Sequence, residues 1–190
     1  MKLVLPAFTL AILIGYLRGG RLAALADLRL RWQAAALLGL LLQVLLWPGG
    51  DWPLLYLYLS FVLLTAFAVV NIRITGVALI LVGVALNFTV IVVNRGMPVS
   101  RQAIVASHQA DSLEELVDDG GAKHHLASSA DHLRFLGDVI AVPVLQQAIS
   151  VGDVFTYGGV MVLIAAGMGR RRRADDPGAL VPEVAGNVDG

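Results

Sequence analysis

Apolar residues in the first half of this chain form long, nearly unbroken runs, separated by short polar or Pro/Gly-rich breaks. Leu3 to Leu17, Trp32 to Trp47, Leu54 to Val70 and Val77 to Val93 are four such runs. A helix that is apolar all round has lipid or protein interior for its solvent rather than water. The later three come close to the roughly 20 residues that cross a bilayer's hydrocarbon. The first is shorter, about 22 Å at 1.5 Å per residue, so Lys2 has to snorkel to the interface. Because Arg18 and Arg21 follow this run instead of preceding it, it reads as a span rather than a secretory signal.

The breaks carry their own chemistry. Arg18 to Arg31 holds four arginines, and Leu22, Leu25 and Leu28 at spacing three lay this connector along the interface. Pro48-Gly49-Gly50-Asp51-Trp52-Pro53 cannot continue a helix. Asn71 to Gly76 is a tight turn, and Asn94-Arg95-Gly96-Met97-Pro98-Val99 is the polar turn by which the fourth run leaves the membrane.

From Asn94 to Ser150 the apolar runs stop. Ala103, Ala106, Ala110, Leu113 and Val117 alternate spacings of three and four, which predicts an amphipathic helix ended by Gly120-Gly121. A second, shorter helix is expected around Ser129 to Leu136. Asp138 to Pro143 is β-branched and apolar, and is expected to descend against the span tops rather than to join a sheet. Ser150-Val151-Gly152-Asp153 reads as a capping box that opens a fifth span, Val154 to Gly169. The predicted fold is thus all-α, a polytopic transmembrane bundle of five spans with an outer amphipathic-helix segment. Four transmembrane helices occupy residues 1–93, an extracytoplasmic segment 94–150, the fifth helix 151–169, and a cytoplasmic tail expected to be disordered 170–190.

Composition reinforces the lipid setting. Hydrophobic residues are 57% and charged residues 15% of the 190, too apolar for a soluble domain to cover with polar surface. Fourteen basic residues balance fourteen acidic ones, so no global field draws the chain to nucleic acid. With no cysteine, disulfides and thiolate chemistry are excluded. Arg18, Arg21, Arg29, Arg31, Arg73 and Arg170 to Arg173 crowd into three short segments, whereas Lys2, Arg95, Arg101, Lys123 and Arg134 are spread out. The positive-inside rule then puts the N-terminus outside and the C-terminus in the cytoplasm. Trp47, Trp52, Tyr56, Tyr58 and Tyr157 form an outer aromatic belt in that orientation, with Tyr16 and Trp32 at the inner interface.

Amides inside hydrocarbon need partners, so their placement is informative. Gln43, Asn87 and Asn94 all fall in the outer half of the bundle, and Asn87 and Asn94, seven apart, share one helix face. Asp153 enters at the depth of Asn94. An outward-facing polar rim of Gln43, Asn87, Asn94, Met97, Pro98, Asp138, Ser150 and Asp153 follows, binding a membrane-protein partner or a small ligand. The plainer reading is that the amides knit helices together, Asp153 caps a helix and Asp138 ends a turn. Two rivals remain. Asp138 and Asp153 each sit in a Gly-Asp-Val step and would form an acid/base pair of an intramembrane hydrolase if they converged. Alternatively Gln43, Asn87 and Asn94 line a path in a transporter subunit or accessory. His108, His124, His125 and His132 lack the His-x-x-x-His spacing of a helical metal site and read as solvated. No catalytic residue, metal or cofactor is expected.

Several motifs resemble an uncharacterised family of small bacterial integral membrane proteins, a domain of unknown function. They are Asn-x-Gly-Met-Pro-Val after a span (Asn94 to Val99), Lys123-His124, Leu-Gly-Asp-Val-Ile followed by Pro (Leu136 to Pro143) and Ser-x-Gly-Asp-Val (Ser150 to Val154). The resemblance implies architecture and setting, a multi-pass protein of the bacterial cytoplasmic membrane, and no activity, substrate or cofactor.

Overall fold

The computed structural model describes residues 4–44, 52–109 and 123–169. Five helices carry the apolar runs: α1 (Val4–Leu17), α2 (Gln33–Val44), α3 (Trp52–Val70), α4 (Val77–Asn94) and, after a short α5 (Arg101–Ala106), α6 (Val151–Met168). They pack as neighbours in the order α2, α3, α4, α6, α1. The last of the described helices therefore sits between the first and the fourth, and α4 and α6 form the most extensive helix pair.

The all-α expectation is overturned by a four-stranded mixed sheet built from the outer segment. Its strands are β1 (Met97–Val99), β2 (His124–Leu126), β3 (Asp138–Val142) and β4 (Gln147–Ser150), in the order β2-β1-β3-β4. β1 runs parallel to both neighbours, with Met97 opposite His124 and Val99 opposite Asp138, while β3 and β4 are antiparallel with Asp138 opposite Ser150. Asp138 to Val142 is thus a strand, not a descending segment. Its β-branched residues suit a pleated surface, and Pro143–Leu145 turns it back into β4. Pro98 sits in the central strand because alternate donors serve opposite neighbours. Met97 N–H donates to Lys123 O and Ser100 N–H to Asp138 O, so the position without a donor falls where β3 has not yet begun.

Other outer-segment expectations shrink. The amphipathic helix is helical over Arg101–Ala106, and its predicted continuation to Gly121 lies largely outside the described residues. Around Ser129 to Leu136 only a 3-10 turn, Arg134–Leu136, is present. The break at 48–53, Trp47, the Arg170 to Arg173 run and the tail also lie wholly or largely outside the described residues.

The count of five spans is corrected as well. Among the described residues, two helices, Val77–Asn94 and Val151–Met168, are long and apolar enough to cross a membrane. The apolar stretches of the other three, Leu5–Leu17, Gln33–Gln43 and Leu54–Val70, fall short. At 1.5 Å per residue they reach about 16 to 26 Å, less than the roughly 30 Å of hydrocarbon.

Glycines let α4 and α6 approach closely. A Cβ on Gly83 would lie 2.4 Å from Gly152 O, and one on Gly159 would lie 2.8 Å from Gly76 O. Two glycine pairs, each seven residues apart on its own helix, thus face each other across an antiparallel seam. Beside it, Leu57 and Phe61 of α3 pack on Val84, Val90 and Ile91 of α4 and on Met97, with Phe61 stacked on Phe88 at 5.5 Å. Val99, Ala103, Ile104 and Ala148 form a separate small core between the sheet and α5. At the opposite end of the row, Asn71 accepts from Arg31 N–H and donates to Arg31 O, both at 2.8 Å, tying the arginine connector to the α3–α4 turn.

Candidate ligand site at the junction of sheet and helices

The site forms where α4 ends, α6 begins and the parallel strands start. Ser150 and Asp153 make the capping box that their spacing predicts: Asp153 N–H donates to Ser150 Oγ at 2.9 Å, and Ser150 N–H to Asp153 Oδ2 at 3.2 Å. Across the glycine seam, Asn87 Nδ2 donates to Asp153 Oδ1 at 2.9 Å and Asn87 Oδ1 accepts from Ser150 Oγ at 2.8 Å. Asn87 therefore spends both ends of its amide on α6. Asp153 has both oxygens occupied.

Other predicted rim residues separate. Gln43 lies between α2 and α3, donating to Ser60 Oγ at 2.8 Å. Asn94 bonds the outer segment, accepting from His132 N–H at 2.8 Å and donating to His132 O at 2.9 Å. Met97 and Pro98 are buried in the sheet and do not form a rim surface. Asp138, Ser150, Asp153 and Asn87 are the four that the structure brings together.

Asp138 begins β3 and is 7% exposed, yet among the described residues its carboxyl makes no hydrogen bond. Its nearest charged partner is His124 Nε2 at 3.7 Å, beyond hydrogen-bond range. Burial, and then the negative charge of Asp153, push the Asp138 carboxyl up to about 8, and Lys123 only partly offsets them. Burial also lowers the Lys123 ammonium, against the opposing pull of Asp153 and Asp138. Lys123 has no ion pair or hydrogen bond from its ammonium among the described residues. His124 is held well below its usual value, first by desolvation and then by the nearby positive charges of Lys123 and His125. Tyr157, one turn past Asp153, feels the charges of both aspartates and so faces the same junction.

Lys123, His124 and Tyr157 are the site residues that sequence reasoning placed elsewhere. Tyr157 was assigned to the aromatic belt, and Lys123-His124 figured only as a motif. The available signal was that Lys123 is the only lysine besides Lys2. Nearby, Asp131 accepts from His125 Nε2 at 2.9 Å and from Ser128 N–H at 2.7 Å. Burial would raise the Asp131 pKa, but these bonds outweigh it and hold the carboxyl low. Among the described residues no three His, Asp or Glu side chains converge as a metal site.

An apolar row of helices with a small mixed sheet on one end and a buried charged cluster in the junction is the class of protein these observations define. The chain belongs to DUF5317, a family of unknown function, whose match spans residues 27–165 and so includes every residue of the cluster. No curated protein and no solved structure matches it.

Proposed function

We propose that this is a non-enzymatic, multi-pass protein of the bacterial cytoplasmic membrane that binds a small ligand or partner through the sheet–helix junction. The observation that carries the reading is Asp138, largely buried at the start of β3, with no hydrogen bond to its carboxyl and no ion pair to Lys123 among the described residues. A largely desolvated carboxyl without a hydrogen bond from the protein costs stability.

The membrane setting is supported by the helices' outer surfaces. Leu5 (77%), Leu17 (78%) and Leu37 (60%) are among many large apolar side chains left exposed on them, a surface that water would not tolerate at this extent. Orientation is supported by the separation of charges. Arg21 N–H bonds Met168 O at the end of α6, and Arg31 bonds Asn71 beside Arg73, so these arginines cluster away from the sheet. The arginine end is then cytoplasmic and the sheet outside, so that α6 runs inward from the sheet.

The two-aspartate hydrolase is less well supported, because Asp153 commits both oxygens to its own helix start and to Asn87. A transport path through Asn87 is likewise less well supported, since its amide is closed onto α6.

Two measurements test the proposal. The chain has no cysteine, so Ser129→Cys and Thr75→Cys each give a single labelling site. A membrane-impermeant maleimide should label the first in intact cells and the second only after permeabilisation; the reverse pattern would overturn the orientation. Lys123→Gln and Asp138→Asn should leave the purified protein at least as stable as wild type near pH 8. A loss of stability in both would mean the junction is architecture.

A further inference from the structure

Among the described residues, the junction has two groups with spare bonding capacity, an ammonium and a carboxyl. Lys123 stands just before β2 and Asp138 opens β3, on either side of β1. They sense each other electrostatically but form no ion pair with each other. A ligand bridging them carries both an anionic and a cationic group. The apolar surroundings say what else it carries. Val92 and Val93 on the last turn of α4, and Val154 and Phe155 on the first turn of α6, are all exposed, as is Val139 next to Asp138. A chain-bearing ligand at the membrane surface fits both features, and a free polar zwitterion fits only the first.

Resting on the outward-facing binding reading, we infer that the Lys123–Asp138 pair receives the headgroup of an aminophospholipid, its phosphate on the Lys123 ammonium and its primary ammonium on the Asp138 carboxylate. The acyl chains lie along the exposed apolar ends of α4 and α6. A primary ammonium is required, since it donates hydrogen bonds to a buried carboxylate and a quaternary one does not. Asp153, Ser150 and Asn87 act as the scaffold, because their polar atoms bond one another. Asp138 has to ionise to accept the ammonium, so binding near neutral pH releases a proton into surroundings shared with Lys123, His124, Asp153 and Tyr157.

The test is calorimetric titration of the full chain in detergent micelles with dihexanoyl phosphatidylethanolamine, phosphatidylglycerol and phosphatidylcholine, and with phosphoethanolamine. Phosphatidylethanolamine should bind more tightly than the other two lipids, and phosphoethanolamine should bind more weakly at the same site. Lys123→Gln and Asp138→Asn should each weaken binding by about tenfold or more, the loss of one charged hydrogen bond. Lys123→Arg keeps the charge and should stay within a few-fold of wild type.

Phosphatidylethanolamine binding no more tightly than the other two lipids would overturn the inference. If phosphatidylglycerol binds instead and Lys123→Gln abolishes that binding, the headgroup assignment fails while the binding site stands. If none of the probes binds, the headgroup assignment is overturned, and the stability comparison of Lys123→Gln and Asp138→Asn then decides separately whether the junction is a site at all.

Discussion

Asp138 is the residue whose chemistry departs furthest from its ordinary behaviour, and the departure sets a pH dependence. Its carboxyl titrates near 8 in the folded protein against 3.8 when free. Between those values the native state holds a proton that the unfolded chain has released, so stability falls as pH rises through that window. His124 has the opposite sign: with its pKa lowered from 6.5, it costs stability as pH falls below that value. Lys123, its ammonium lowered by burial, contributes with the opposite sign to Asp138 at alkaline pH, so Asp138 is read from the difference between wild type and Asp138→Asn from pH 7 to 9. The melting temperature of wild type should decline across this range, and that of Asp138→Asn should decline less and lie higher at pH 9. Parallel curves would mean that the carboxyl is not desolvated as described.

At the scale of elements, the α4–α6 seam is what assembles the site. Gly152 allows Asn87 to reach Ser150 and Asp153: a Cβ there would lie 2.0 Å from Asn87 Oδ1 and 2.6 Å from Gly83 O. Gly158, on the same helix, has nothing within 4 Å of such a Cβ. Gly152→Ala should accordingly destabilise the protein by about 1–3 kcal/mol through overpacking. Gly158→Ala should be neutral, or stabilise it by about 0.5–1 kcal/mol from reduced backbone entropy. Thermal or denaturant unfolding in detergent reads both, and equal effects would contradict the seam. The helices were legible in sequence because each apolar run is long and bounded by Pro, Gly, Asn or Arg. The strands were not, for β1 and β2 are three residues each and β1 contains a proline. Their pairing partners lie 27 and more residues away, and no local periodicity carries that information. The capping box was legible for the converse reason, being complete within four residues.

Taken whole, the molecule is polarised, with a sheet and buried acid–base cluster at one end and the arginine connector at the other. In the proposed orientation, the arginines of the 18–31 connector set the topology. Replacing Arg18, Arg21, Arg29 and Arg31 together by Gln should turn uniform external labelling of Ser129→Cys into a mixed pattern, as the positive-inside signal weakens. Unchanged labelling would show that another segment dictates topology. The sequence by itself determined the apolar helices and the start of the last of them, because each depends on neighbours a few positions away. Only the tertiary structure decided that the outer segment closes into a mixed sheet and that α6 inserts between α1 and α4. It also decided that Lys123 and Asp138, fifteen positions apart in the chain, flank one central strand. Those outcomes rest on strand pairing and close glycine packing between distant segments, where the free energy comes from partners that no local pattern names.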